Sequence, residues 1–314
     1  AARLWSDRGV TVVLALDIGG TKLAAGLVDE AGTVLVHDRA MTPGSLDPEE
    51  LWAAVTRLVD DLLAHPDVPL YDGIGIGCGG PMQWPEGLVS PINIHGWRDF
   101  PLLERVSDRY GGGRPAVIHN DAVALALAEH RWGAGQGHDH VLGMVVSTGV
   151  GGGLVLGGRR IDGGTGNAGH VGHIVVDPLG PACPCGGRGC VEAIARGPAL
   201  AEYAVSRGWQ GEETGVAVAE GARVGDAACL AAFERAGRAV GLGIVSACAA
   251  LDLDVVTIGG GISQAGELFF APLRRTFDEY AGLAFVRRCE IVPARLGPLA
   301  GLSGAAALVL DDLA

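Results

Sequence analysis

Asp17-Ile18-Gly19-Gly20-Thr21-Lys22 puts a carboxylate, two glycines, a hydroxyl and an ammonium into one short stretch. Amides bared by glycine, with the Thr21 hydroxyl and Lys22 beside them, can face phosphate oxygens, and Asp17 could hold Mg2+ directly or through water. The same residues also suit an ordinary hairpin turn. Ser147-Thr148-Gly149-Val150-Gly151-Gly152-Gly153 follows the same logic further along. It is not a Walker A loop, because no Gly-Lys-Ser/Thr follows, and no dinucleotide fingerprint opens a helix. His119-Asn120-Asp121 places a carboxylate where a strand gives way to a helix. A carboxylate there can take the proton of an attacking hydroxyl, and it can equally be a plain helix N-cap. The fourth stretch is His173-x9-Cys183-x-Cys185-x4-Cys190. One imidazole and three thiolates make a tetrahedral Cys3His zinc site. All four ligands come from protein, which leaves no position for a catalytic water and marks the ion as structural. Such an ion would hold rigid the loop carrying His170, His173 and Glu192.

The elements that must position these residues follow from apolar spacing. Thr11–Asp17 is a β-branched apolar run ending in Asp-Ile-Gly-Gly, a buried strand entering a tight turn. Leu23–Val28 continues as a second strand, Glu30-Ala31-Gly32 turns, and Thr33–His37 gives a third, so the chain opens as an antiparallel meander. Asp47–Ala64 has helical spacing, with Asp47 as cap, Pro48 at the first position and Glu49 and Glu50 in the first turn. Tyr71–Gly77 is a buried strand running into Cys78-Gly79-Gly80-Pro81. Ala116–Ile118 is another, followed by a helix over Asp121–Trp132. The opening pattern then recurs: strand Val141–Ser147, the glycine turn, strand Leu154–Leu156, a turn at Gly157-Gly158, then Arg159-Arg160-Ile161. Helices near Pro198–Ser206, Asp226–Ala250, Glu267–Tyr280 and Leu302–Leu313 complete the chain, with a strand Val255–Ile258 before Gly259-Gly260-Gly261. A repeated strand–turn–strand pattern with little residue identity predicts two similar α/β lobes, each offering a glycine turn to one cleft.

Composition excludes several classes. The 314 residues suit one large domain or two ordinary ones, and a 48% hydrophobic, 19% charged chain can bury a full core. The formal charge of −13 comes with no Lys/Arg cluster, which argues against nucleic-acid binding. Lys22 is the only lysine in the first half, and the positive charge is nearly all arginine. No apolar stretch approaches a membrane span, and Ala1–Val10 lacks a signal-peptide pattern, so a cytoplasmic protein is expected. Clustered thiols in a reducing compartment favour a metal over disulfides, whereas Cys78, Cys229, Cys248 and Cys289 stand scattered as buried small hydrophobes.

Together and in this order the motifs resemble those of the ROK family of bacterial repressors, open reading frames and sugar kinases. Asp17–Lys22 matches the family's DxGGTK, Asn120-Asp121 its ND, and Thr148–Gly153 its TGxGxG. Gly169-His170-Val171-Gly172-His173, followed by the run from Cys183 through Cys185 and Cys190 to Glu192, matches its signature. The resemblance implies an α/β, actin-like ATPase (ribonuclease H-like) fold, two lobes around a central cleft. It implies ATP, Mg2+ and a structural Zn2+, a sugar substrate, and a homodimer or homotetramer with neither nucleic acid nor membrane as partner. A first lobe over 11–122, with helix 302–313 packing back on it, and a second lobe over 123–301 are expected. Carried over, Asp121 is the catalytic base. Gly79, Gly80, Asn93, Asn120, His170, His173 and Glu192 join it around the sugar. Asp17, Gly19, Gly20, Thr21, Lys22, Thr148, Gly149 and Gly260 match nucleotide positions, and His173, Cys183, Cys185 and Cys190 the zinc ligands. The family's repressors add an N-terminal helix-turn-helix, and about a dozen residues before the first strand are too few for one.

One departure concerns the acceptor. The family's glucokinases carry Glu where this chain has His170, and an imidazole offers a different hydrogen-bonding complement from a carboxylate. The surrounding run looks like that of bacterial N-acetylmannosamine kinases. That sugar is narrowly favoured as acceptor at its 6-hydroxyl, with glucose and another amino-hexose such as 3-aminoglucose as alternatives. A non-catalytic sugar sensor is the alternative of another class. Val123 stands where a second Asn is usual.

Overall fold

The structure, a computed structural model, describes residues 10–66 and 68–312. Most of the Ala1–Val10 stretch, and Leu313 at the end of the expected last helix, lie outside them. The chain divides into two compact units. The first comprises residues up to Gln136, Arg160–Ala168 and the chain from Leu296 on; the second comprises Gly137–Arg159 and Gly169–Arg295.

The first unit is built on a five-stranded sheet of order β3–β2–β1–β4–β8, formed by β1 (Val12–Ile18), β2 (Lys22–Asp29), β3 (Val34–Met41), β4 (Gly73–Cys78) and β8 (Ala116–Asn120). β1, β2 and β3 are the antiparallel meander, and β4 and β8 run parallel to β1. Side chains alternate across β1 as the pleat requires. Leu14 and Leu16 join the core beneath helix α1 (Pro48–Leu63), whose Leu51, Val55, Val59 and Leu62 are buried. Val13 and Ala15 face the terminal helix α10 (Ala300–Asp312) through Ala305, Ala306 and Val309. α1 begins where its cap predicts, with Asp47 Oδ1 accepting the Glu49 N–H at 2.8 Å.

Glycine lets α10 approach unusually closely. A Cβ on Gly75 would stand 1.8 Å from the Ala305 carbonyl oxygen, and one on Gly304 would stand 2.6 Å from the backbone of Ala124 in helix α3 (Asp121–Trp132). α3 therefore belongs to the first unit, and a boundary at residue 122 would cut it from the helix it packs on. Between β4 and β8 lies a stretch for which the sequence predicts no element. It holds a small sheet of β5 (Met82–Gln83), β6 (Leu88–Val89) and β7 (Phe100–Pro101), and a short helix α2 (Leu102–Val106) that widens into a π turn.

The second unit repeats the connectivity. Its sheet has the order β11–β10–β9–β12–β13, from β9 (Val141–Val146), β10 (Val150–Leu156), β11 (Arg159–Ile161), β12 (Val255–Gly259) and β13 (Glu290–Pro293), the chain passing into the first unit within β11. Again the second strand is antiparallel to the first, and the fourth and fifth are parallel to it. Helices α4 (Val191–Ala195), α5 (Gly197–Ser206) and α6 (Gly215–Arg223) precede α7 (Ala227–Leu251), which packs along α8 (Glu267–Tyr280). Helix α9 (Ala284–Arg287) leads into β13. Asp226 caps α7 by accepting the Cys229 N–H at 2.9 Å.

One expectation needs correction. Gly151, Gly152 and Gly153 are not turn but strand: they pair with Val145, Met144 and Gly143. Their small size is used across the sheet, where a Cβ on Gly152 would lie 2.8 Å from both the Gly169 carbonyl oxygen and Val171 Cγ2. The turn itself is only Ser147-Thr148-Gly149. Cys78, Cys229, Cys248 and Cys289 are all buried, as expected of small hydrophobes. Among the described residues no helix is long and apolar enough to cross a membrane.

Candidate active site

The residues singled out in the sequence fall into two sets, one in each unit. In the first unit, sheet register gathers three of the motifs. Asp17 stands beside Gly77, and Cys78 beside Asn120, so the ends of β1, β4 and β8 lie side by side. The Asp17–Lys22 turn is closed by the Gly19 N–H donating to the Lys22 carbonyl at 2.9 Å, and Thr42 straps it by donating its hydroxyl to the Gly19 carbonyl at 2.6 Å. Lys22, the single lysine of the chain, is exposed at the start of β2. The exposed Asn93 side chain lies against two glycines at once. A Cβ on Gly20 would fall 2.6 Å from Asn93 Cγ, and one on Gly79 would fall 3.3 Å from its Oδ1. Gly80 adjoins them and takes the Ile92 N–H on its carbonyl at 3.2 Å. The Asp17–Lys22 turn, the Gly79-Gly80 loop and Asn93 are therefore one contiguous surface.

Asn120 and Asp121 divide the two roles that the sequence left open for Asp121. Asn120 is the N-cap of α3, its Oδ1 accepting the Ala122 N–H at 2.9 Å. Asp121 is the first helical residue, and its Oδ1 accepts from the same N–H at 2.8 Å. The helix dipole favours a carboxylate there. Asp17 and Asp121 feel each other electrostatically. The carboxyl of Asp17 is raised from the ordinary 3.8 to about 6, first by burial and then by the charge of Asp121, with Lys22 and Arg39 only partly offsetting this. Burial and these same two carboxylates push the Cys78 thiol well up. Gly301 at the start of α10 makes room for Asp17, since a Cβ there would lie 2.2 Å from its Oδ2. A cavity of about 30 Å3, lined by Asp17, Lys22, Arg39 and Leu302 among others, adjoins it. That is room for one water. Asp17, buried and raised by a second carboxylate, is an oxygen donor that a hard divalent cation would relieve.

The second unit supplies a turn without charge of its own. Ser147 N–H donates to the Gly149 carbonyl at 2.8 Å, and the Gly197 N–H donates to the Ser147 carbonyl at 2.7 Å. Glu192, in the first turn of α4, reaches back: its Oε2 accepts the Val150 N–H at 2.9 Å. A Cβ on Gly149 would stand at the same distance, 2.9 Å, from that oxygen. Gly260, just past β12, has φ +95, and a Cβ there would lie 2.4 Å from the Val146 carbonyl oxygen. Thr148 is exposed at the tip of the turn. Sequence reasoning gave Glu192 to the sugar and missed this grip on the glycine turn.

His170 and His173 flank a short 3-10 turn, their rings 6.2 Å apart and 19° from parallel. One ligand atom from each of His173, Cys183, Cys185 and Cys190 lies within 4.8 Å of all the others. Cys183 Sγ is 3.8 Å from His173 Nδ1, and Cys185 Sγ is 3.9 Å from Cys190 Sγ. A tetrahedral zinc with Zn–S of ~2.3 Å and Zn–N of ~2.1 Å has ligand–ligand edges of roughly 3.6–3.8 Å, so the cluster fits the ion. Burial, with Cys183 and Cys185 alongside, pushes Cys190 up to about 12, while the Gly187 N–H and Cys183 pull Cys185 down. Three thiolates this close repel unless a cation sits among them.

Comparison with known proteins assigns the class. The ROK family model matches residues 13–312, and the chain belongs to the ROK family. A glucokinase of Thermotoga maritima is 32% identical over 96% of this chain and 98% of its own length. An N-acetylmannosamine kinase of Yersinia pseudotuberculosis is 35% identical, over 93% of this chain and 96% of its own length. Among solved structures, a ROK family glucokinase from Streptomyces griseus in complex with glucose and AMPPNP superposes with a TM-score of 0.81. It is 35% identical, over 98% of this chain and 99% of that one. The fold is the actin-like ATPase fold of the ROK sugar kinases, an α/β architecture of two lobes.

Proposed function

We propose that this chain, a ROK sugar kinase, transfers the γ-phosphoryl group of ATP to the 6-hydroxyl of a hexose or amino-hexose, with Asp121 as general base. The observation that carries the reading is the meeting of Asp17 and Asp121, far apart in sequence, at the end of one sheet beside a glycine turn and a helix N-terminus. In the step, Asp121 accepts the proton of the attacking hydroxyl. The sugar oxygen forms its bond to the γ-phosphorus as the bond from that phosphorus to the β,γ-bridging oxygen breaks, leaving ADP. Asp121 sits at a helix start, where the backbone dipole favours a carboxylate, the form that accepts a proton.

Gly79, Gly80, Asn93, Asn120, His170, His173 and Glu192 are the proposed sugar contacts. Gly19, Gly20, Thr21, Lys22, Thr148, Gly149 and Gly260 are the proposed nucleotide contacts, with bared amides and one ammonium to meet phosphate charge. Asp17 would hold Mg2+, which when bound neutralises phosphate charge. His173, Cys183, Cys185 and Cys190 would hold a structural Zn2+, which fixes the loop carrying His170 and Glu192. Reduced thiols suit a cytoplasmic place of work. A homodimer or homotetramer is part of the same reading, and light scattering on the purified protein tests it.

The acceptor is narrowly favoured as N-acetylmannosamine, because His170 stands where the family's glucokinases have Glu. Glucose and another amino-hexose are the competing acceptors. ADP release measured with N-acetylmannosamine, glucose, N-acetylglucosamine, mannose and 3-aminoglucose decides among them. Sugar binding without ATP turnover on any of them would turn the reading to a sugar sensor. The intact base and both glycine turns favour the enzyme.

A further inference from the structure

His119 is fully buried one residue before Asn120, and the reaction above makes no use of it. Both of its ring nitrogens are engaged. Nδ1 accepts the backbone N–H of Asn120 at 2.8 Å. Nε2 lies 3.1 Å from Oδ1 of Asp162. An imidazole that accepts at Nδ1 carries its proton on Nε2, so Nε2–H donates to Asp162. The carboxylate thereby selects the tautomer that the Asn120 N–H needs.

Asp162 is itself held. Arg160 Nε donates to the same Oδ1 at 2.7 Å, and Arg160 Nη2 to Asp312 Oδ1 at 3.2 Å, at the end of α10. Burial would raise the Asp162 carboxyl, but the hydrogen bonds from His119 and Arg160 outweigh it and keep the group below its ordinary range. Trp84 closes another side of the imidazole, with ring centroids 5.8 Å apart. Gly166, at φ +73, lets the chain lie against Trp84, where a Cβ would come within 2.4 Å of the Trp84 Cβ. The 160–168 excursion thus lies with β8 and α10 in the first unit and encloses His119 with Trp84.

We propose that Asp162 and His119 are positioning residues for the base. They fix the His119–Asn120 peptide at the end of β8, and with it the directions of the Asn120 and Asp121 side chains at the start of α3. A base must sit within hydrogen-bond reach of the hydroxyl it serves, so a small rotation of this peptide lowers the rate of the chemical step without emptying the binding sites. The inference rests on the reading of Asp121 as base and adds the device that aims it.

Paired substitutions separate aiming from mere packing. His119→Asn keeps an acceptor oxygen near the Nδ1 position and gives up the link to Asp162. His119→Gln keeps a donor near the Nε2 position and gives up the acceptor. With kcat and both KM values measured on folded protein, His119→Gln is expected to lower kcat about 10- to 100-fold, with KM for sugar and ATP within about threefold. Asp162→Ala, at a partly exposed position, is expected to lower kcat about tenfold, and His119→Asn to stay within about threefold of the unmodified protein. Equal losses in His119→Asn and His119→Gln, or falls in thermal stability with kcat unchanged, overturn the proposal. Histidine 15N NMR of the unmodified protein needs no variant: the buried ring must show the Nε2–H tautomer, and Nδ1–H or imidazolium overturns it. If Asp121→Asn retains turnover, the base reading itself fails. If Asp121→Asn is inactive while Asp162→Ala and His119→Gln keep full kcat, only this inference fails.

Discussion

The hairpin β1–β2 and the hairpin β9–β10 occupy the same place in two sheets of the same order, yet their turns are chemically opposite. The first turn carries Asp17 and Lys22 and lies in the field of Asp121. The second has no charged residue between Ser147 and Gly153 and borrows Glu192, which holds the Val150 amide in place. One architecture has been used twice, once to place charges and once to present backbone donors. What differs is the residue that leans on the turn: Asn93 lies over Gly20, and Glu192 over Gly149. The difference teaches that a glycine turn is only a scaffold, and that its neighbour decides its use.

The comparison breaks most sharply at Asp121. Asp121→Asn should lower kcat about 10²- to 10⁴-fold, with sugar affinity within about tenfold, because only proton acceptance is lost. Steady-state kinetics with calorimetric sugar binding measures this; near-normal turnover would remove the chemical role from the first unit. Next in size is the metal site. Cys185→Ser, or chelation, should lower the apparent Tm by about 10 °C, with hydrogen exchange rising over 173–192 and unchanged in β1 to β4. Bound zinc is counted by atomic emission, and a zinc-free protein with an unchanged melt would refute the site. Gly260→Ala adds a Cβ at positive φ against the Val146 carbonyl. It should cost about 2 kcal/mol and raise the KM for ATP more than it lowers kcat. The reverse pattern would give the second hairpin a chemical role after all.

The last effect concerns Asp17 and pH, and is one of stability rather than turnover. A carboxyl whose pKa rises from 3.8 to about 6 on folding binds its proton more tightly folded than unfolded. Its ionisation therefore costs stability as pH rises from about 4 to 6, and the whole cost, about 3 kcal/mol, is present above about pH 6. Asp17→Asn should accordingly be the more stable protein at pH 7.5, with the gap closing towards pH 4, in denaturant titrations without nucleotide or Mg2+. A gap that is flat with pH would show that Asp17 is not strained by its surroundings.

Much of this was legible in the sequence. The meander, α1 with its Asp47 cap, α3, α8 and the Cys3His cluster are local patterns, set by spacing and capping within a few residues. The region 82–111 was not legible, because its strands are two residues long and interrupted by proline. The strand character of Gly151–Gly153 was hidden too. Glycine has low strand preference, and only pairing with Val145, Met144 and Gly143 makes a strand of it. His119 stood in its motif without a role, since nothing in its neighbours announces a partner at Asp162.

By itself, then, the sequence determined the chemical inventory: which stretches carry amides, carboxylates, an ammonium and four metal-type ligands, and which strands and helices present them. Only the tertiary structure decided how those groups share work. Asn120 rather than Asp121 became the cap, Asp17 came into the field of Asp121, Glu192 turned to the second glycine hairpin, and Asp162 took hold of His119. The reason is that such pairings depend on sheet register and on glycine-mediated close approach between elements distant in the chain. Residue type fixes what a side chain can do; register fixes what it meets.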